Sequence, residues 1–514
     1  MKRVLISLFL ILCTSLQVFA KNTQSGWQND LKTLFTNNQA IIYTINIRTF
    51  NAKDTNKNEI IDEGEESGNF INAIDNLDEL VRMGINTIHV LPITPVGKIK
   101  AFGTAGSLYA ITDFKSVNPQ LVSSNSSLSG IEQAKKFISE CHRRNIRVIV
   151  DLPSCGAYDM YVEHPEYFVK DEYQKDVVPL DWSDVRLFNV GTEEKYNEEL
   201  FFLHKRFVDF LVSIHADGIR ADVAGLKPAS FWSDLIKYAR EKDPEFLFLA
   251  ESSKSWTTPV SKFALCVPSE ELLKAGFDGY LGSYFNLKNW KTSKELIGNV
   301  NDDLKMFSKF KDKKSVIGGF STHDEVSPIL INGDDFAYMV LWLNTTLPLN
   351  AYYVDGFATG DTYNYQWANK LATKSETDDE YYFTHNGKID IFNYSRRPHG
   401  NNYKMFEEFI LANKFKNYCM SELSRASFVP LKTNCPNVFA YARGCSNYSV
   451  IVIGNLDFDN PHEVVVKVPK FKQNSKIINV RVNCNIDNTY MNKRIKANLK
   501  KGEIQVLVVR NLVL

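Results

Sequence analysis

From about residue 40 onward, short runs rich in β-formers alternate with amphipathic helical stretches, and this alternation constrains the chain more than any other feature. The runs are Ile41 to Phe50, Thr87 to Ile93, Arg147 to Leu152, Gly218 to Asp222, Leu247 to Glu251, Gly279 to Phe285, Val316 to Phe320 and Ala351 to Val354. Strands separated by helices lie parallel, with the helices as crossovers, and a set of eight closes on itself. The expected fold is therefore a TIM (β/α)8 barrel over residues 40–414. Residues 153–195, after the third strand, are irregular and rich in Pro, Asp and aromatics, as expected of a small excursion over the barrel rim. Lys374 to Glu380 reads as an exposed loop between the eighth strand and its helix. From about residue 415 the pattern changes to short alternating strands such as Val438 to Ala442 and Tyr448 to Ile453, which predicts a C-terminal antiparallel β-sandwich over 415–514.

Three of the barrel runs lead to a carboxylate: Asp222, Glu251, and Asp324 just past Phe320. A single acid at a strand end reads as a helix N-cap or a turn former. Three of them at the same end of barrel strands meet on one rim. Two or three carboxylates converging on a cleft equip a chain for glycoside cleavage, in which one attacks the anomeric carbon and another, roughly 5 Å away in retaining enzymes, protonates the leaving oxygen. Asp222 and Glu251, ending adjacent strands, can meet that spacing. Arg220 lies two residues before Asp222 and so faces the same way, where its charge is expected to hold Asp222 ionised.

These segments resemble a known family. IRAD at 219–222, LAE at 249–251 and FSTHD at 320–324 are similar, in order and spacing, to three signature regions of the alpha-amylase family of glycoside hydrolases, family 13. Ser107 to Phe114 resembles the family segment that places a sugar-stacking Tyr, and Val148 to Asp151 resembles its third barrel strand. The resemblance implies Asp222 as nucleophile, Glu251 as acid/base and Asp324 as the carboxylate that grips sugar hydroxyls. It further implies substrate contacts from Tyr109, Arg220 and His323, and identifies the 153–195 excursion with the family's domain B. After Asp151 the family continues to an Asn-His pair, whereas this chain reads Leu152-Pro153-Ser154-Cys155-Gly156, which removes a sugar contact and a usual interdomain calcium ligand. SCGAYDMYVEHPEYF at 154–168 and Leu226-Lys227-Pro228 resemble the maltosyltransferases that use maltose 1-phosphate, which adds Lys227 to the expected substrate contacts.

Asp54, Asn56, Asn58 and Asp62 place oxygen side chains at alternate positions, the arrangement by which one loop wraps Ca2+, with the Ile60 carbonyl as a further ligand. Glu59 stands where such loops favour Gly, and a metal-free polar turn is the alternative. The resembling family often carries calcium just after its first strand, as here.

Lys+Arg and Asp+Glu both number 60, so no global field favours nucleic acid or an anionic membrane as partner; a neutral α-glucan or maltooligosaccharide suits such a surface. Met1-Lys2-Arg3, the apolar run Val4 to Leu12 and Val18-Phe19-Ala20 have the order of a secretory signal, with residues 1–20 removed, 21–39 left as an N-terminal segment, and the product secreted or periplasmic. The apolar run is shorter than the roughly 20 residues of a spanning helix, so no membrane insertion is expected after cleavage. Of the 8 Cys, Cys13 leaves with the signal, and Cys419, Cys435, Cys445 and Cys484 lie close enough in sequence for one or two disulfides. The combined expectation is an exported, retaining hydrolase of α-glucosidic bonds. A transglycosylase or maltosyltransferase, and a catalytically silent glucan-binding protein, stand as alternatives.

Overall fold

The computed structural model describes residues 27–510 apart from 57, 59–60, 102–104, 180–181, 363–399, 424–427, 445–447, 469–475, 483, 486–489 and 492. The signal segment with Cys13, Ile60, the 374–380 stretch and Cys445 lie outside the described residues.

Ten strands make up the barrel and its excursion: β1 (Ile41–Ile45), β2 (Thr87–Val90), β3 (Arg147–Leu152), β4 (Cys155–Ala157), β5 (Val185–Leu187), β6 (Gly218–Ala221), β7 (Leu247–Ala250), β8 (Gly279–Tyr280), β9 (Ser315–Val316) and β10 (Ala351–Val354). All except β4 and β5 form one parallel sheet in the order β10-β1-β2-β3-β6-β7-β8-β9. Asn350 closes the ring, accepting from Gly318 N–H at 2.7 Å and donating its own N–H to Val316 at 2.9 Å.

Alternation along these strands sorts side chains between two cores. Ile41, Tyr43, Val148, Val150, Ile219 and Phe248 point outward against the helices. Ile42, Ile149, Leu247, Leu249 and Val354 fill the barrel, where Leu31 and Phe35 of the N-terminal segment join them. Asp151 thus shares the inward face of Ile149, Glu251 that of Leu249, and Asp222 that of Arg220.

All eight barrel runs read from the sequence are present, several of them shorter than expected. β1 stops at Ile45 because the Asn46 side chain accepts from Arg48 N–H at 3.1 Å and starts a helical turn over Ile47–Phe50. β8 ends where Gly282 adopts φ 77°, a left-handed bend open to glycine. β9 gives way at Gly318, where any Cβ would lie 1.8 Å from Asn344 Oδ1.

β4 and β5 pair antiparallel, Cys155 opposite Leu187 and Ala157 opposite Val185. They share a small apolar core with Val177 and Leu226, against which Trp182 of the excursion and Val260 and Phe263 of the loop after β7 pack. This contact brings the excursion over the ends of β6 and β7.

The C-terminal strands are β11 (Phe428–Pro430), β12 (Val438–Gly444), β13 (Tyr448–Asn455), β14 (His462–Lys467), β15 (Ile477–Asn479), β16 (Cys484–Asn485), β17 (Tyr490–Met491), β18 (Arg494–Leu499) and β19 (Ile504–Arg510). They form an antiparallel six-stranded sheet, β11-β12-β13-β19-β15-β16, facing a three-stranded one, β14-β18-β17. Ala440, Ile451, Val464, Ile495 and Leu507 fill the space between them, whereas Phe439, Tyr441, Val450 and Val452 join the barrel's core. The helical segment that opens at Tyr403 runs on to Leu423 because Met420 and Leu423 belong to that core, so the sandwich starts at Phe428 rather than 415. Cys435 and Cys484 are free thiols. No helix among the described residues is long and apolar enough to cross a membrane.

Candidate active site

The inward faces of β3, β6 and β7 place Asp151 in register with Arg220, and Arg220 in register with Leu249, two residues before Glu251. The Arg220 guanidinium consequently meets three carboxylates. Nη1 donates to both oxygens of Asp151 at 2.9 Å and to Asp222 Oδ1 at 3.2 Å, and Nη2 lies 2.9 Å from Glu251 Oε1. Asp222 and Glu251 are thereby held on one fixed cation at the floor of a cavity of about 550 Å3, which Asp324 and Tyr109 also line.

Each carboxylate has further support. Ser154 N–H donates to Asp222 Oδ2 at 3.1 Å, and the Ser154 hydroxyl bonds the Asp222 carbonyl. Val223 N–H donates to Glu251 Oε2 at 2.7 Å. That last contact depends on Val223 holding φ 34°, ψ 57°, a left-handed conformation that is strained for a β-branched residue and is spent here on aiming a donor into the site. Both Glu251 oxygens therefore accept in this arrangement. To protonate a leaving oxygen, Glu251 must release one of these donors, as catalytic hydrogen bonds rearrange when substrate enters.

Tyr109 Oη donates to Asp151 Oδ2 at 2.7 Å and lies 2.7 Å from His323 Nε2, with its ring parallel to the imidazole. Burial holds the Tyr109 hydroxyl protonated and keeps His323 neutral. With Tyr109 donating to Asp151, His323 carries its proton on Nε2, 3.5 Å from Asp324 Oδ1. His89 adds an inner layer, its Nδ1 against Thr44 and Tyr352 and its Nε2 3.3 Å from Asp151.

The carboxyls separate electrostatically. Burial by itself would raise Asp151, but the Arg220 charge and His89 hold it down at about 2. Asp222 goes the other way: burial, and then the neighbouring Glu251, push it well above the ordinary carboxylate range despite Arg220. This reverses the expectation that Arg220 keeps Asp222 low. The reason is register, since Asp151 sits directly across from Arg220 and takes two of its contacts, leaving Asp222 a single longer one. Asp324 is pushed up to about 8 by burial and by Glu251. Its side chain keeps 39% of its surface open to the cavity, so a bound sugar would complete that desolvation.

Lys227, expected among the substrate contacts, is fully buried, and its Nζ donates to the Ser154 hydroxyl at 3.1 Å. It braces the segment that holds Asp222 and does not line the cavity. Cys155, in the stretch that replaces the Asn-His pair, does line it. Trp182 and Asp184 from the excursion and Trp256 from the loop after β7 were not picked out in the sequence. They reach the cavity through tertiary packing, and no local pattern marks them.

Away from this site, the loop after β1 draws its polar groups together. Asn56 and Asn58 donate to Asp62 Oδ2 at 2.8 and 3.0 Å. Glu65 accepts from Thr55 N–H at 2.7 Å and from Asp62 N–H at 3.1 Å. Counted from Asp54, Glu65 is twelfth, the place where calcium loops put a bidentate Glu. Counting would have found it. Among the described residues no three His, Cys, Asp or Glu side chains gather into a metal-holding cluster, half of the side-chain donors first read in this loop being amides.

Comparison with known proteins agrees with this geometry. No protein-family model matches the chain. An alpha-1,4-glucan:maltose-1-phosphate maltosyltransferase from Mycolicibacterium smegmatis is 26% identical over 258 residues, covering 47% of this chain and 34% of that protein. Its namesake from Salinibacter ruber is 23% identical over 429 residues, covering 78% and 58%. The chain thus spans between a third and three fifths of the length of these relatives. Among solved structures, a maltogenic alpha-amylase from Thermotoga neapolitana superposes with a TM-score of 0.69 at 19% identity, covering 92% of this chain and 99% of that one. The fold is that of the alpha-amylases, and the sequence is similar to that of the maltosyltransferases.

Proposed function

We propose that this protein is an exported enzyme that cleaves α-glucosidic bonds of α-glucans with retention of configuration. Asp222 attacks the anomeric carbon, Glu251 protonates the leaving oxygen and then activates the incoming hydroxyl, and Asp324 grips sugar hydroxyls while the ring distorts toward the oxocarbenium-like transition state. The observation that carries this reading is the single Arg220 guanidinium shared by Asp151, Asp222 and Glu251 at the cavity floor. It fixes two reacting carboxyls side by side and adds only one positive charge to several acids, so the site is completed by a positively charged transition state. Burial and the neighbouring Glu251 raise Asp222, and attack needs Asp222 ionised while the acid/base carries the proton destined for the leaving oxygen.

Water attacking the glycosyl-enzyme gives hydrolysis, and a sugar hydroxyl gives transfer. Hydrolysis is our leading reading; the maltosyltransferase relatives support transfer as the second. The basic, apolar and small-residue order of the first 20 residues supports export.

The loop after β1 would hold Ca2+ through Asp54, Asn56, Asn58, Asp62 and the Ile60 carbonyl, joined by Glu65. This donor set is all oxygen, as a hard cation requires, and the side chains of Asn56 and Asn58 already converge on Asp62. The ion would brace the loop and take no part in the chemistry.

The direct test is product analysis on a panel of α-glucans, following the anomer released first by NMR. We expect α-configured products. A β-anomer as first product would refute the double displacement, and absence of turnover on every glucan would refute the enzyme reading.

A further inference from the structure

Attack on the anomeric carbon needs Asp222 ionised, yet burial and the neighbouring Glu251 both favour its protonated form, and Asp151 adds to them. Arg220 opposes them through one contact, on Oδ1. The other oxygen, Oδ2, accepts from Ser154 N–H at 3.1 Å, and that bond favours the ionised carboxylate. Ser154 is itself fixed from behind. Its hydroxyl bonds the Asp222 carbonyl and accepts from Lys227 Nζ at 3.1 Å. Both Ser154 and Lys227 are buried, so this linkage is closed to water. In sequence, Ser154 belongs to the stretch that stands in place of the Asn-His pair and Lys227 to the run just past Asp222; the fold joins the two behind the nucleophile.

A buried ammonium is costly to keep unless its charge is used nearby. Among the described residues, the ionisable groups that face Lys227 are Cys155 on β4, Asp222 past the end of β6 and His204 on the helix Glu198–Ser213, with the Trp232 ring of the helix Ala229–Lys242 5.5 Å from its Nζ. Burial lowers Lys227 to about 8, against the pull of Cys155 and Asp222, so the ammonium prevails at neutral pH. Burial, and then Asp222, push the Cys155 thiol far up; burial, and then the Lys227 charge, keep His204 neutral. Of these groups, Asp222 is the one on which the Lys227 charge can act as an attraction.

We infer that Lys227 is a positioning residue for the nucleophile: through Ser154 it fixes the carboxylate oxygen that Arg220 does not hold, and its charge favours the ionised carboxylate that attacks. This role rests on the reading of Asp222 as the nucleophile. It gives Lys227 an effect on rate that packing alone would not have.

The experiment follows full-length Lys227→Met, Lys227→Arg and Ser154→Ala on α-maltosyl fluoride, whose leaving group needs little protonation, so that Glu251 weighs least on the rate. Lys227→Met should lower kcat about tenfold on the pH plateau, the worth of one hydrogen bond at a charged group, with KM changed by no more than about twofold. The acid limb of its kcat/KM profile should move to higher pH by about one unit, because the ionised nucleophile loses a favourable charge. Lys227→Arg should restore part of both changes. Ser154→Ala keeps the N–H and the ammonium but breaks the link between them, and should shift the same limb by less. A folded Lys227→Met with a lower melting temperature but an unmoved limb and kcat would reduce Lys227 to packing and overturn the inference. If Lys227→Met does not fold, Ser154→Ala decides, and an unmoved limb there overturns it equally. If the parent turns over no donor, denaturant melts between about pH 4 and 9 compare the effect of Asp222→Asn in the parent and in whichever of Lys227→Met and Ser154→Ala folds. The loss of stability that Asp222 causes as pH rises should extend to higher pH in the variant. If it does, the coupling stands without the enzyme reading; if the two backgrounds agree, both fall.

Discussion

Asp222 and Asp62 are the same side chain in opposite settings. Asp222 lies beside a buried guanidinium and a second carboxyl, and burial drives its titration far from that of a free acid. Asp62 stands exposed on the loop after β1, accepting two amide hydrogen bonds from its own turn. Its neighbour Glu65, half-buried, is held low chiefly by the Thr55 hydroxyl. Local hydrogen bonds can satisfy a carboxylate, but only burial next to another charge makes it reactive. The two clusters of acids should therefore respond to substitution in different currencies, rate for the rim and stability for the loop.

The largest effect should come from Asp222→Asn. The amide is nearly isosteric and cannot attack, so turnover on a glucan should fall by roughly 10^4-fold or more while the melting temperature stays close to that of the parent. The same change at Asp62 should leave kcat untouched. If Asp222→Asn kept near-parental rates, the contrast between the two sites would collapse along with the nucleophile assignment.

Glu251→Gln sharpens the contrast within the rim. A glucan leaving group needs its proton, so glycosylation should slow by roughly 10^2 to 10^4, whereas a glycosyl fluoride, whose leaving group needs little protonation, should be largely spared. Single-turnover measurement of both substrates separates the cases, and equal slowing would exclude Glu251 as the acid.

How far the sequence reached follows from what each feature depends on. Eight strands were legible because runs of β-formers set between amphipathic helical stretches are a local property, and Asp222, Glu251 and Asp324 came with them near strand ends. The partition of Arg220 was not legible, because which carboxylate it favours is set by the register of β3 against β6. Lys227 reads in sequence as a loop cation near substrate, and only packing turns it inward beneath Ser154. Asp184 and Trp182 come from the least regular part of the chain and gain meaning only once the excursion folds over β6 and β7.

Stability against pH should expose these surroundings at intermediate size. Asp151, held at about 2 against an ordinary 3.8, favours the folded state by about 2 kcal/mol above pH 4, and that contribution is lost as pH falls from about 4 toward 2. Asp184 has the opposite sign. Its pKa of about 7 means the folded state binds its proton more tightly than the unfolded chain does, so stability declines as pH climbs from about 4 to 7. Asp222 and Asp324, also raised, act in the same sense as Asp184, so denaturant melts at pH 5 and 8 should show a loss toward pH 8. Asp184→Asn should lessen that loss, and an unaltered alkaline slope in that variant would show that Asp184 ionises as freely as a surface acid.

The smallest effect belongs to the calcium loop, and it tests the exposed half of the comparison. Asp54, Asn56, Asn58, Asp62 and Glu65 lie on one segment, so the ion they are proposed to hold would bind the folded loop and have little affinity for the unfolded chain. Stabilisation then grows as the logarithm of free calcium and reaches about 1.4 kcal/mol at a tenfold excess over the dissociation constant. For a chain of this size that amounts to a few degrees in melting temperature, by the entropy of unfolding of a large domain. Chelator should lower the melting temperature and calcium restore it, while activity measured well below the transition stays constant, because among the described residues no group of the loop touches the Arg220 site. Replacing Asp54 and Asp62 together by Ala should erase the calcium-dependent shift. Glu65→Gln should weaken it, since an amide cannot offer two anionic oxygens to the ion. A melting curve that is the same in chelator and in millimolar calcium, after metal removal is verified by elemental analysis, returns the loop to a polar turn held by its own amides. Activity lost in chelator without loss of structure would instead tie the loop to the rim, and would break the separation of rate from stability on which the comparison stands.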